Sequence, residues 1–117
     1  MAELLNGQQR TMMCGDVSAA DVGKEVTLMG WVHRRRDLGG LIFLQLRDRS
    51  GISQIVFDTD VCSQELLQKA ATIKLEYVIT VVGKVRRRTG NNVNPNMKTG
   101  EIEVVAEQLK ILSEADT

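Results

Sequence analysis

Five stretches of the chain are rich in β-branched and large apolar residues, and turn-forming residues stand between them. They are VTLMGWVHR (26–34), GLIFLQLRD (40–48), GISQIVFD (51–58), EYVITVVGKVRRR (76–88) and GEIEVVAEQLKIL (100–112). Runs of this length and composition, bounded by Gly, Asn, Asp and Pro, read as β-strands. DLGG separates the first two and RDRSG leads into the third, both short enough for hairpins, while TGNNVNPNMKTG, which holds the single proline, supplies a longer polar loop before the fifth.

Only one intervening segment changes period. In DTDVCSQELLQKAATIK, Leu66, Leu67, Ala70, Ala71 and Ile73 fall on one helical face, with Asp58 or Asp60 available to cap its start. A shorter helical turn is expected at SAADVGKE, between a Ser18 cap and a Gly23 stop. Three strands, a helix and two strands specify an all-β chain: a five-stranded Greek-key barrel of the OB type, with one helix between strands 3 and 4. An SH3-like barrel is the rival, and the helix counts against it.

With 117 residues, 43% of them hydrophobic, the chain can close one modest core unaided. Residues 13–112 are expected to form the domain, with residues 1–12 as an N-terminal extension and 113–117 as the start of a linker. No apolar run approaches the eighteen or more residues of a membrane span, and MAELLNGQQR lacks the layout of a signal peptide, so a cytoplasmic protein without membrane contact is expected. Cys14 and Cys62 show no metal-ligand spacing and read as packing residues; no metal site is expected. His33 has no catalytic partners in sequence, and neither a P-loop nor a paired-carboxylate arrangement occurs, so no catalytic residue is assigned.

Fifteen basic residues balance fifteen acidic ones, which argues against an indiscriminate nucleic-acid coat held by net charge. Eight of the nine arginines nevertheless gather in three clusters, at 34–36, 47 and 49, and 86–88. Arginine is favoured where a planar fork meets phosphate or base edges, although a solvated charged rim would have the same composition. Strand alternation adds a second signal. If Ile42, Leu44 and Leu46 point to the core, then Leu41, Phe43, Gln45 and Arg47 point outward. Phe43 is one of only four aromatic residues, and a ring on an outer sheet face beside arginines suits base stacking; a ring covered by a loop or an arginine stem is the alternative. By the same parity Thr80, Lys84, Arg86 and Arg88 lie outward on the fourth strand, Glu101 and Glu103 on the fifth, and Arg34 and Arg36 share a face on the first. These faces leave three functions open: a sequence-specific RNA reader, a non-specific single-strand binder, and a barrel that docks an acidic protein.

The string CGDVSAADVGKEVTLMGWVHRRRDLGGLIFLQLRDRSGISQIVFD, continued by VGKVRRR, NPNMKTGEIEV and SEADT, closely resembles the N-terminal domain of bacterial-type aspartyl-tRNA synthetases. That resemblance implies an OB-fold that grips the anticodon loop of aspartate tRNA, with no DNA partner, in a longer class II aspartate–tRNA ligase. The parent is expected to be a homodimer whose ATP and magnesium sites lie in a catalytic domain beyond this sequence; no cofactor is expected in this part. It further implies that Phe43 stacks on the central anticodon base, a uridine, and that Gln54 hydrogen-bonds that base's edge. Gln54 shares parity with Ile52 and Val56, so its outward placement calls for a bulge or a barrel edge. Arg34 and Arg36 match positions that hold bases and loop phosphates, Arg86 and Arg88 the basic pair of the fourth strand, Asn92 a loop contact, and Glu103 the carboxylate that reads the first base. Leu38 and Asn91 match positions that separate aspartate from asparagine anticodons at the third base. The chain departs from the common pattern in its N-terminal extension, at Thr59 where proline is frequent, and at Asn91 where lysine is frequent.

Overall fold

The computed structural model describes residues 9–114. Five strands close a barrel in the order β1-β2-β3-β5-β4: β1 Glu25–Leu38, β2 Leu41–Asp48, β3 Gly51–Phe57, β4 Val78–Arg87 and β5 Ile102–Ser113. β1 is shared between two neighbours, pairing with β4 through its first half and with β2 through its second. All pairings are antiparallel except the short β3–β5 contact, which closes the barrel. The single helix, α1 (Gln64–Ala71), lies between β3 and β4. This is the five-stranded barrel with an inserted helix that the order of periods predicts.

Alternation accounts for the core. Leu28 and Val32 of β1, Leu44 and Leu46 of β2, Ile55 and Phe57 of β3, Ile79, Val81 and Val85 of β4, and Ile102 and Val104 of β5 are buried in one cluster. α1 plugs the barrel through Ala70 and, just beyond the helix, Ile73, with Leu66 and Leu67 packed against the same core. Its cap is Ser63, whose hydroxyl accepts from the Leu66 backbone N–H (3.1 Å), and not Asp58 or Asp60 as the sequence suggests. Asp58 is used elsewhere: its Oδ1 accepts from the Asp60 N–H, and its carbonyl accepts from Val61 and Cys62, making the tight turn that leaves β3. The expected turn at Ser18 forms as a 3-10 turn over Ala19–Asp21 with a reciprocal Ser18–Asp21 capping box.

The β1–β2 hairpin turns at Gly39 and Gly40, whose φ values of +57° and +92° only glycine adopts without strain. The register slips once on β1, between Val32, opposite Leu46, and Arg34, opposite Gln45. This bulge at His33 turns Arg34 and Arg36 outward while Val32 stays in the core.

At the opposite side of the barrel the N-terminal segment is tied in. Thr11 exchanges hydrogen bonds with Thr27, and Met12 packs against the core. The Cys14 N–H donates to Asp48 Oδ2 (2.8 Å), while Asp48 Oδ1 accepts from the Ser50 N–H and hydroxyl. Burial opposes ionisation of Asp48, but these donors outweigh it and hold its carboxyl below the usual aspartate range. Burial also pushes the Cys14 and Cys62 thiols up, consistent with packing roles. Most of the expected extension, residues 1–8, and most of the expected linker, residues 115–117, lie outside the described residues. No helix among the described residues is long and apolar enough to cross a membrane.

Candidate nucleic-acid interface

The strand registers arrange the outer face as two parallel rows. One is polar: Arg34 opposite Gln45, Gln45 opposite Gln54, Gln54 beside Glu103 through the parallel β3–β5 pairing, and Glu103 opposite Arg86. Two residues along each strand lies a second row of Arg36, Phe43, Val56, Val105 and Lys84. An apolar centre flanked by cations thus runs beside a band of hydrogen-bonding groups.

The second row explains Gln54. No bulge or barrel edge is involved, because the β2–β3 register is regular. Val56 shares the outward parity of Gln54 and is itself buried outside the barrel, in a small second cluster with Phe43 and Val105 and with Leu41 against it. The sequence alone does not show that Val56 packs in this outer cluster and not in the core, which is why its parity with Gln54 is misleading. Phe43 lies outward as alternation predicts, but it is not openly exposed: 8% of its surface is accessible. Its cross-strand neighbour Arg36 is exposed and, with Arg34, Gln45 and Gln54, lines a cavity of about 60 Å³ at the ring.

The polar row is closed by direct contacts. Gln54 Nε2 donates to Glu103 Oε1 (2.9 Å), and Arg86 Nε donates to Glu103 Oε2 (2.7 Å). Arg86 Nη1 also reaches Asp58 Oδ2 at 3.2 Å. Glu103 is 4% exposed, so its charge depends on these partners. Burial alone would lower the Arg86 pKa, but the hydrogen bond and charge of Glu103, with those of Asp58, hold it above the ordinary arginine value.

The remaining expected residues divide. Arg34 and Arg36 are exposed on the face. Arg88 shares the parity of Arg86 yet is only 6% exposed: Nε donates to the Ile102 carbonyl (2.7 Å) and Nη1 to the Asn92 carbonyl (3.2 Å), so it ties β5 to the loop that joins β4 and β5. Burial pulls its pKa down, opposed by Glu103. Asn92 is exposed at the end of the 3-10 turn Gly90–Asn92 of that loop; Asn91 lies in the same turn, its side chain outside the described portion. Leu38 is 49% exposed at the tip of the β1–β2 hairpin. Thr80, expected outward in the open, is buried; its register partners Met29 and Lys110 are both long side chains. Glu101 is exposed and precedes β5. Gln45 and Lys84, which parity places outward, belong to this surface, and so does Asp58, which the sequence offers as a helix cap. Among the described residues no group of three or more His, Cys, Asp or Glu is placed to hold a metal ion.

Residues 26–112 match the family model described as the tRNA anti-codon OB-fold nucleic acid binding domain. The whole chain aligns with the aspartate–tRNA(Asp/Asn) ligase of Thermoanaerobacter pseudethanolicus at 53% identity and with the aspartate–tRNA ligase of Clostridium perfringens at 54%, covering 20% and 19% of those proteins. The chain therefore spans about a fifth of the length of these relatives. Among solved structures, asparaginyl-tRNA synthetase from Pyrococcus horikoshii superposes with a TM-score of 0.74 at 30% identity, over 90% of this chain and 23% of that one. Barrel order, outer-face chemistry and sequence agree, and the chain belongs to the tRNA anti-codon family of OB-fold nucleic acid binding domains.

Proposed function

We propose that this chain is the anticodon-recognition domain of an aspartate–tRNA ligase and that it binds the aspartate tRNA anticodon loop on the outer face of β1, β2, β3 and β5. The observation that carries this reading is the pair of rows: a ring between cations, beside a continuous band of base-edge hydrogen-bonding groups. Sequence-specific RNA recognition needs a platform for a splayed base and polar groups at its edge. Phe43 is the platform for the central uridine, reached when the Arg36 stem gives way to the base. Gln54 commits its Nε2 to Glu103, leaving Oε1 to accept from the uracil N3–H. Glu103 is the acceptor for the two adjacent donors of a first-position guanine. Arg34 and Arg36 serve the loop phosphates and neighbouring bases, Arg86 and Arg88 organise Glu103 and the β4–β5 loop carrying Asn92, and Leu38 and Asn91 flank the third base.

On this reading residues 13–112 are the recognition domain and residues 113–117 begin the connection to a catalytic domain of a cytoplasmic, homodimeric enzyme. The ATP and magnesium implied for that enzyme belong to it. The described residues offer no acidic cluster for them, and no step of aminoacylation is assigned to this chain.

Fluorescence anisotropy with a labelled anticodon stem-loop and a central-base variant tests the proposal. Losing one stacked and hydrogen-bonded base should weaken binding by roughly 1–3 kcal/mol. Equal binding of both loops at matched salt would make the face a non-specific single-strand surface, and no binding at all would favour a protein-docking barrel.

A further inference from the structure

Asp58 sits at the end of β3, where its own turn fixes it: Oδ1 accepts from the Asp60 N–H at 2.9 Å, and its carbonyl accepts from Val61 and Cys62. Its second oxygen, Oδ2, takes Arg86 Nη1 at 3.2 Å. Arg86 in turn gives Nε to Glu103 Oε2, and Glu103 Oε1 receives Gln54. One guanidinium therefore bridges two carboxylates, and only one of these, Glu103, belongs to the row that faces RNA. The Asp58 side chain is largely buried whereas that of Arg86 is 41% exposed, so Arg86 is the member of this chain with room to move. A half-exposed arginine next to a polyanion has an obvious competing partner, a phosphate.

We infer that Asp58 is a positioning residue for base discrimination: it holds Arg86 on Glu103 and away from the RNA phosphates, so that Glu103 meets the first anticodon base in a fixed orientation. The inference rests on the proposed role of Glu103 as reader of that base. Arg86 acts as an internal strut, and Asp58 sets the balance between selectivity and raw affinity. Removing the Asp58 charge releases Arg86 toward the phosphates. Binding to any loop then becomes tighter and more dependent on salt, while preference for the correct first base falls. A residue needed only for folding would not raise affinity as it lowers selectivity.

The test uses this chain with Asp58→Asn, which keeps an acceptor for the Asp60 N–H, and Asp58→Ser as a second variant that can still close the turn. Affinities for the aspartate anticodon stem-loop and for a first-base variant are measured across a salt series, with a thermal melt as the check on folding. A well-made base contact gives about 5- to 150-fold discrimination. The folded variants should lose about fivefold or more of it, bind the wrong loop more tightly, and show a salt slope steeper by about 0.7, the value for one added single-strand phosphate contact. Unchanged discrimination and slope in a folded variant would overturn the inference while leaving the anticodon reading intact. If the unmodified chain itself failed to discriminate at the first base, the reading of Glu103 would fall and the inference with it.

Discussion

Phe43→Leu separates what the ring does for the fold from what it does for RNA. Phe43 packs outside the barrel, with Val56 and Val105 buried beside it and Leu41 against them. Burying a phenylalanine in a main core contributes about 3–5 kcal/mol over alanine. Here the cluster is small and lies at the surface, so it can collapse onto the lost volume, and leucine keeps most of the apolar contact. The expected loss is therefore about 1 kcal/mol, read as a fall in Tm of about 4 °C for a domain of this size. Leucine offers no π-face. Stacking is worth on the order of 1–3 kcal/mol, so affinity for the anticodon stem-loop should fall by about 5- to 150-fold, at a temperature where the melt shows the variant fully folded. Wild-type affinity in a folded Phe43→Leu variant would refute the stacking role. A loss equal for loops with and without the central uridine would show that the ring shapes the face without reading the base.

Two further perturbations probe the barrel that presents this face. Gly83 stands where the β4–β5 register slips, and a Cβ there would fall 2.8 Å from the Val105 carbonyl carbon; Gly83→Ala should cost at least about 1–3 kcal/mol in urea unfolding, because backbone must shift, and an unchanged midpoint would contradict the close approach. Asp48, whose folded pKa lies below its unfolded value near ~3.9, stabilises the fold fully above that unfolded value, and the contribution is lost as pH falls through the folded pKa. Urea midpoints taken from pH 7 down to pH 3 should fall at the acid end, and the fall should shrink in Asp48→Asn; equal acid sensitivity in both proteins would mean that other carboxylates dominate.

The architecture was legible because its signals are local. Period two, one helical period and Gly-rich turns identified every strand, and Ser18 was recognisable as a cap. The parity of β2 placed Phe43 correctly even though no single residue of that strand is diagnostic. Two kinds of information were not local. Sequence parity cannot show that the outer face carries its own apolar cluster, which needs three different strands to bring Phe43, Val56 and Val105 together. For the same reason Gln54 looked misplaced and Phe43 looked exposed. Nor can sequence distinguish arginines that face solvent from one that is consumed internally. Arg86 and Arg88 read alike, yet Arg88 is buried on two backbone carbonyls contributed by β5 and by the β4–β5 loop. Asp58 was misread because an aspartate before a helix is usually a cap, and its ion-pair partner lies 28 residues away on another strand.

In the proposed function one face, the two rows running from β1 across β2, β3 and β5 to β4, receives the anticodon loop. An amide and side-chain NMR titration of the chain with the aspartate anticodon stem-loop maps this directly. The largest shift changes are expected on Arg34, Arg36, Phe43, Gln45, Gln54 and Glu103, and they should diminish when the central uridine is replaced. Changes centred instead on the far side of the barrel, around Arg10, Trp31 and Arg49, or a pattern indifferent to the base, would contradict it.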